Sequence, residues 1–300
     1  MTRRTLLAGV AVTSAYAQQR RERKEWKPRL GVLGPFTEAN VKFCKDEGFT
    51  NMILEGNSVT EDKIDAIKNA GMRFSALQCA QNHFTQKEND YFVKKIEIAG
   101  KLGIPYIGTC SGKDDTKPFQ QQIDDIVRVY TEKYFKSCEA NKVRILWEPW
   151  AGGPNIATGP VGFEALFKGF GDSPYVGLQY DPSHLVWQMM DPIQCARDFI
   201  DKIYDVHLKD TQIRWDVVKK GGINPPNKAQ WWTFRLPGLG QMDWAAFFSV
   251  LQQAGYQGAM SIEHEDPFYG APSRPGPDFS DDFKTGLKMA HRYLKQYIPD

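Results

Sequence analysis

Val176-Gly177-Leu178-Gln179-Tyr180-Asp181-Pro182-Ser183-His184 begins as a short apolar run and ends on a carboxylate followed by proline. The run has the length and the β-branched and aromatic content of a strand, and Pro182 ends it at Asp181. Three other stretches share this design: Ile145-Leu146-Trp147-Glu148-Pro149-Trp150, Val206-His207-Leu208-Lys209-Asp210 and Met260-Ser261-Ile262-Glu263-His264-Glu265. Each reads as a buried strand of the parallel type with an ionisable residue near its end. Placed alike on four strands, such residues form a ring at the C-terminal mouth of a closed barrel. An ionised group there is costly to bury unless it is paired or binds a metal. Glu148, Asp181, His207 and Glu263 are therefore expected to hold one divalent metal ion. Three carboxylates and one imidazole suit Mn²⁺, Mg²⁺ or Co²⁺ better than a thiolate metal, and better than Zn²⁺.

Upstream, strand-like runs at 30–33, 52–55, 74–79 and 106–110 alternate with helical patterns at 38–46 and 61–69, one that closes near Gly103, and one at 123–140. Downstream helices are expected near 162–168, 192–200 and 244–253, with a terminal one near 281–297. Eight strand–helix units predict a single-domain (β/α)₈ TIM barrel over 29–300. No G-x-G-x-x-G follows the first strand, which argues against a dinucleotide fold. Residues 211–237, after the seventh strand, carry Trp215, Pro225-Pro226 and Trp231-Trp232 and read as an enlarged loop with a lid function. Strand alternation puts Lys209 on the face of His207, Ser261 and Glu265 on that of Glu263, and Gln179 on that of Asp181. His264 then points away from Glu263.

The 300 residues carry a formal net charge of only +2, so no strong basic field points to nucleic acid. Arg20, Arg21, Arg23, Lys24 and Lys27 crowd residues 18–28, which read as a solvated basic linker. Ahead of it, residues 1–17 read as an export signal: Arg3-Arg4, an apolar stretch from Leu6 to Val12, and Ala15-Tyr16-Ala17 for cleavage. The paired arginines are similar to a twin-arginine signal, which predicts a periplasmic protein exported already folded. The apolar stretch is too short to anchor the mature chain in a bilayer. The 5 cysteines are widely spaced with no C-x-x-C pair, so neither a disulfide framework nor a thiolate zinc site is indicated.

Taken together, Glu148, Asp181-Pro182-Ser183-His184, His207-Leu208-Lys209-Asp210, Pro237-Gly238-Leu239-Gly240-Gln241-Met242-Asp243-Trp244 and Ile262-Glu263 resemble the xylose-isomerase-like TIM barrels. The likeness is greatest to the sugar isomerase/epimerase branch, with its ketose 3-epimerases and inosose dehydratases, and runs from about Leu30 to the C-terminus. It implies a carbohydrate substrate and the same metal ligands: Glu148, Asp181, His207 and Glu263. It also implies that Glu148 and Glu263 exchange protons with the substrate from opposite faces, and that His184 contacts substrate beside the metal. His83, after the third strand, falls where substrate contacts occur, and Trp150 and Trp187 are candidates for stacking on a sugar face. Chelation of a carbonyl and its neighbouring hydroxyl stabilises an enediolate, which makes the adjacent C–H acidic.

This chain departs from the epimerases in two places. Pro149-Trp150-Ala151-Gly152-Gly153-Pro154 lacks their further glutamate, and His207-Leu208-Lys209-Asp210 is closer to the dehydratases. Lys209 is placed to protonate a departing hydroxyl or glycosidic oxygen, so the sequence predicts an isomerase or epimerase, with a β-eliminating lyase as the alternative. Apurinic endonucleases share the barrel but need several histidines for three zinc ions, and this chain has 5 in all. A carbohydrate-binding protein without turnover would not need two opposed bases. The oligomeric state is left open, a homo-oligomer included.

Overall fold

The computed structural model describes residues 26–171, 173–271 and 276–298. The segment expected to carry an export signal lies outside these residues, as does most of the basic linker. The last residues of that linker belong to the barrel instead: Trp26 is buried, donates from Nε1 to the Tyr256 carbonyl (2.9 Å), and meets Phe248 edge to face.

Eight parallel strands close into a barrel: β1 (Arg29–Gly34), β2 (Asn51–Glu55), β3 (Arg73–Gln78), β4 (Tyr106–Thr109), β5 (Arg144–Trp147), β6 (Val176–Tyr180), β7 (Ile203–Leu208) and β10 (Ala259–Ile262). β10 pairs with both β7 and β1, and β1 pairs with β2, so no edge is left open. Val32, Leu54, Ile107, Trp147, Leu178, Val206 and Ile262 join the main apolar core of barrel and helices. Leu33, Ile53 and Ala76 form a separate small cluster with Tyr106. The buried polar residues Asn51, Ser75, Gln179, Asp205 and Ser261 share the remaining strand faces. Gly108 makes room for two of the polar side chains, because a Cβ there would run into Gln78 Oε1 and Gln179 Oε1.

Local chemistry sets the helix ends. Helix α1 (Glu38–Asp46) starts at Thr37, whose side chain accepts from the Asn40 amide. After the short α2 (Ile64–Asn69), helix α3 (Gln86–Leu102) is capped by Thr85 and ends at Gly103 in the left-handed conformation, φ 69°. The helix expected at 123–140 is broken into α4 (Phe119–Val129), a π-turn at Tyr130–Tyr134, and α5 (Phe135–Asn141). The wider turn lets both Tyr130 and Tyr134 face the core, fully buried. Next come α6 (Pro160–Phe170), α7 (Pro182–Trp187) and α8 (Pro192–Asp198).

The region expected to be a loop at 211–237 is an arm with its own structure. Strands β8 (Asp210–Ile213) and β9 (Trp232–Arg235) pair antiparallel, and α9 (Trp215–Gly221) lies between them. Two buried carboxylates clamp its base. Asp210 accepts from the backbone amides of Thr211, Gly238 and Met242 and from Trp244 Nε1, at 2.8–3.1 Å. Asp266 accepts from Arg235 Nε, Leu236 N and Phe268 N at 2.8, 3.1 and 2.9 Å. The Pro237–Trp244 motif is thus the wrapping around Asp210; a Cβ on Gly240 would collide with that carboxylate. Helices α10 (Trp244–Gln253), N-capped by Asp243, and α11 (Asp281–Leu294) complete the shell. No described helix is long and apolar enough to cross a membrane. All five cysteines are free and buried, as the sequence suggests.

Candidate metal centre

The four predicted ligands meet at the C-terminal mouth of the barrel, and each is aimed by a neighbour. The turn after β5 is held by Asn155, whose Nδ2 donates to the carbonyls of Glu148 (2.7 Å) and Trp150 (3.2 Å). Gln78 Nε2 donates to Glu148 Oε2 at 2.6 Å, which leaves Oε1 facing the centre. Asp181 caps α7 through Oδ1, which accepts from the Ser183 amide at 2.8 Å. Its Oδ2 is thereby turned inward, buried and without a hydrogen-bond partner. His207 Nδ1 stands 3.2 Å from Glu148 Oε1, 2.9 Å from Glu263 Oε2 and 3.9 Å from Asp181 Oδ2.

Two more residues enter the ring, as alternation and the resemblance imply. His184 Nε2 lies 3.3 Å from Glu148 Oε1 and 3.5 Å from Asp181 Oδ2. Ligand atoms of Glu148, Asp181, His184 and Glu263 all fall within 4.8 Å of one another, so His184 competes with His207 as the nitrogen donor. Lys209, only 1% exposed, places Nζ 2.7 Å from Glu263 Oε2, 2.7 Å from Glu265 Oε2 and 3.1 Å from Asp181 Oδ2.

Burial and charge oppose each other throughout this cluster. For Glu148, burial and the neighbouring Glu263 raise the pKa, but His207 and His184 outweigh them and leave it at about 2. Burial would likewise raise Glu263, yet Lys209 and His207 hold it well below the usual carboxylate range. Burial keeps Asp181 and Glu265 raised in spite of Lys209. His207 and Lys209 would both lose their protons on burial alone, but the carboxylates hold each well above its ordinary value. Glu148 and Glu263 are therefore ionised at neutral pH, and Lys209 is a firmly held cation. An ammonium held in this way gives up its proton to a leaving oxygen less readily than a free one. Its place suits it to stabilise negative charge.

The set fits one divalent ion. Three carboxylates and an imidazole converge, and Asp181 Oδ2 is a buried anionic oxygen left unbonded. Hard oxygen donors outnumber nitrogen here.

His83 is not part of this group. It is fully buried, its φ is 69°, and its Nδ1 lies 3.0 Å from Tyr134 Oη. Its Nε2 lies 2.9 Å from Thr109 Oγ1 and 3.0 Å from the Cys110 carbonyl. Burial drives its pKa down to about 3, with the Cys110 carbonyl opposing. It ties α3, β4 and the π-turn together, and no ring nitrogen is left for a substrate. His264 stacks on Phe283 at 4.2 Å, away from the centre. Trp150 is half-buried, and a Cβ on Gly152 or Gly153 would strike its ring, so it lies over that glycine turn.

Sequence reasoning missed two contributors, Gln78 and Phe234, and placed a third, Trp232, only in the enlarged loop. Gln78, at the end of β3, orients Glu148. Phe234, from the arm, sits 4.4 Å beneath the Lys209 ammonium and meets the His184 ring edge to face. Trp232 stacks on Trp187 with centroids 4.8 Å apart and an 11° interplanar angle. Period-two alternation in Trp232-Thr233-Phe234 was the available signal for the arm.

Comparison with known proteins places this geometry among relatives. The Xylose isomerase-like TIM barrel family model matches residues 42–289. An uncharacterized protein of Bacillus subtilis (strain 168), YfiH, is 30% identical over 250 residues, covering 71% of this chain and 78% of that protein. An inosose dehydratase of Clostridium tetani is 36% identical over 109 residues, only 35% of either chain. Among solved structures, the IolI protein with a bound zinc atom superposes with a TM-score of 0.68 at 16% identity. That match covers 90% of this chain and 98% of the other, and it speaks to fold.

Proposed function

The chain belongs to the Xylose isomerase-like TIM barrel family, and on that premise we propose that it is a divalent-metal-dependent carbohydrate enzyme. It moves a proton on the carbon beside a carbonyl, and so epimerises or isomerises a keto-sugar, cyclitol or keto-glycoside. The observation that carries this reading is the pair of carboxylates, Glu148 and Glu263, both held low in pKa and both reaching His207 Nδ1, at 3.2 and 2.9 Å. A bound divalent ion, held by Glu148, Asp181, His207 and Glu263, supplies Lewis acidity to the substrate carbonyl. That the IolI protein of like fold was solved with a bound zinc atom supports a metal here. Glu148 and Glu263 are the proton-transferring groups: one takes the α-proton, and the other returns one to the opposite face. Gln78 keeps Glu148 pointed at the centre. Lys209 adds positive charge where the enediolate forms. Phe234 places an aromatic face 4.4 Å from the Lys209 ammonium.

A dehydratase reading has its own support, the partial likeness to inosose dehydratase. There the proton leaves as before and a β-oxygen departs. Incubation of the metal-loaded protein with keto-sugars and keto-glycosides in D₂O separates the two. Deuterium uptake without loss of water or aglycone fits epimerisation, an unsaturated product fits elimination, and no exchange on any substrate of the panel sinks both. The Arg3-Arg4 segment supports export to the periplasm as the setting for this chemistry.

A further inference from the structure

Two hydrogen-bond donors approach the two nitrogens of one imidazole in this site, and a neutral imidazole has a single lone pair to offer. Trp187 Nε1 lies 3.3 Å from His184 Nδ1, and Lys209 Nζ lies 3.3 Å from His184 Nε2. Only one of the two can be a hydrogen bond. We propose that it is the first: Trp187 is a positioning residue that fixes His184 as its Nε2–H tautomer, so that His184 donates into the carboxylate ring and does not ligate the metal.

The indole N–H can only donate, and the His184 nitrogen is the partner the structure gives it. Lys209 has alternatives, donating to Glu263 Oε2 and Glu265 Oε2 at 2.7 Å each, with Asp181 Oδ2 a further charge partner at 3.1 Å. On the other side of the ring, His184 Nε2 faces acceptors: Glu148 Oε1 at 3.3 Å and the unbonded Asp181 Oδ2 at 3.5 Å. A proton on Nε2 satisfies that side, and a lone pair on Nδ1 satisfies Trp187. The reverse tautomer sets two N–H groups against each other at Nδ1 and a lone pair against carboxylates at Nε2. An imidazolium fails at Nδ1 for the same reason. Phe234 packs against the imidazole in a T-shaped pair, with centroids 5.3 Å apart.

The consequence separates the two histidines that share the centre. With its lone pair committed to Trp187, His184 has none for a metal, and the nitrogen ligand is His207 alone. His184 is then a fixed donor to a substrate oxygen, a role that rests on the proton-transfer reading above; the tautomer does not.

The test is ¹⁵N NMR of histidine-labelled protein, wild type and Trp187→Phe, metal-free and with the diamagnetic Zn²⁺ as probe. The expected wild-type result is a pyridine-type Nδ1 and a pyrrole-type Nε2 at His184 in both states, with the zinc-induced change confined to His207. Trp187→Phe keeps the ring but loses the donor, so His184 should become a mixture of tautomers. With a substrate in hand, kcat should fall by roughly three- to tenfold, about the worth of one hydrogen bond, with little change in KM. A pyrrole-type Nδ1 in the wild type, or a zinc-bound His184 Nε2, overturns the proposal. So does a Trp187→Phe protein whose His184 keeps the wild-type pattern. If that variant does not fold, the wild-type spectra alone decide. Absence of turnover on every substrate would count against the function above and leave the tautomer result standing.

Discussion

Replacing Lys209 with methionine removes the cation that three carboxylates share. At an effective dielectric of about 20, a unit charge pair 2.7 Å apart attracts by roughly 6 kcal/mol. Two carboxylates lie at that distance, and a third at 3.1 Å. Much of this attraction offsets the desolvation of Lys209, so the net loss follows the rule for breaking a buried pair, about 3–5 kcal/mol. Chemical denaturation of the metal-free Lys209→Met protein should show a deficit of that size. The kinetic effect has a direction as well. Burial raises Glu263, and Lys209 is the foremost group holding it low, so without the ammonium Glu263 keeps its proton to a higher pH. A base must be ionised to act, so the acid limb of the α-proton exchange profile in D₂O should move upward. The rate at neutral pH should fall, with partial recovery toward alkaline pH. If Lys209 instead protonates a leaving oxygen, product release falls by about 10²–10⁴-fold while exchange is spared. Exchange unchanged at every pH would refute the electrostatic argument, and a loss of stability below about 1 kcal/mol, the range of an exposed pair, would refute the burial argument.

His207→Ala should abolish stoichiometric metal, because it removes the nitrogen donor and leaves mutually repelling carboxylates; elemental analysis showing about one ion per chain would refute the ligand set. Asp205, raised from 3.8 to about 6 chiefly by burial, binds its proton more tightly in the folded protein. Its stabilising contribution is full below about pH 4 and lost as pH rises through about 6, an effect of roughly 3 kcal/mol. Asp205→Asn should therefore be the more stable protein above about pH 7, with a flatter profile; equal denaturation midpoints there would contradict this. Asp266→Ala removes two contacts that hold the base of the arm, to Arg235 Nε and Leu236 N, and a third within its own turn, to Phe268 N. Amide exchange should quicken along Trp232–Arg235 while the barrel strands stay protected, and unchanged exchange in β9 would show that the clamp lies elsewhere.

The barrel and its ligand ring were legible because strand alternation is a local property. Once β7 is placed, His207 and Lys209 must share a face, and the same holds for Glu263 and Glu265 on the extension of β10. The arm was less legible because β8 and β9 are four residues each, too short for periodicity to outweigh the prolines and glycines between them. What holds it together is long-range: Asp210 reaches across 34 residues to Trp244, and Asp266 back across 31 to Arg235. His83 misled for a related reason. A histidine just past a strand end suggests the mouth, but its positive φ turns the ring inward onto Tyr134, and no pattern in the sequence marks that turn.

Charge balance explains why this site suits a divalent ion when it already contains its own cations. With Glu148, Asp181, Glu263 and Glu265 all ionised, four negative charges face the Lys209 ammonium and the His207 imidazolium, an excess of two. Burying that excess is unfavourable, and it is visible in the raised pKa values of Asp181 and Glu265, which burial and mutual repulsion keep above the ordinary range. An ion that takes the lone pair of His207 must expel its proton, so two positive charges replace one and the excess falls to a single charge. A monovalent ion exchanged for the same proton would leave the balance unchanged. A divalent ion thus fits the charge of this ring of carboxylates better than a monovalent one, and its binding at His207 would release a proton.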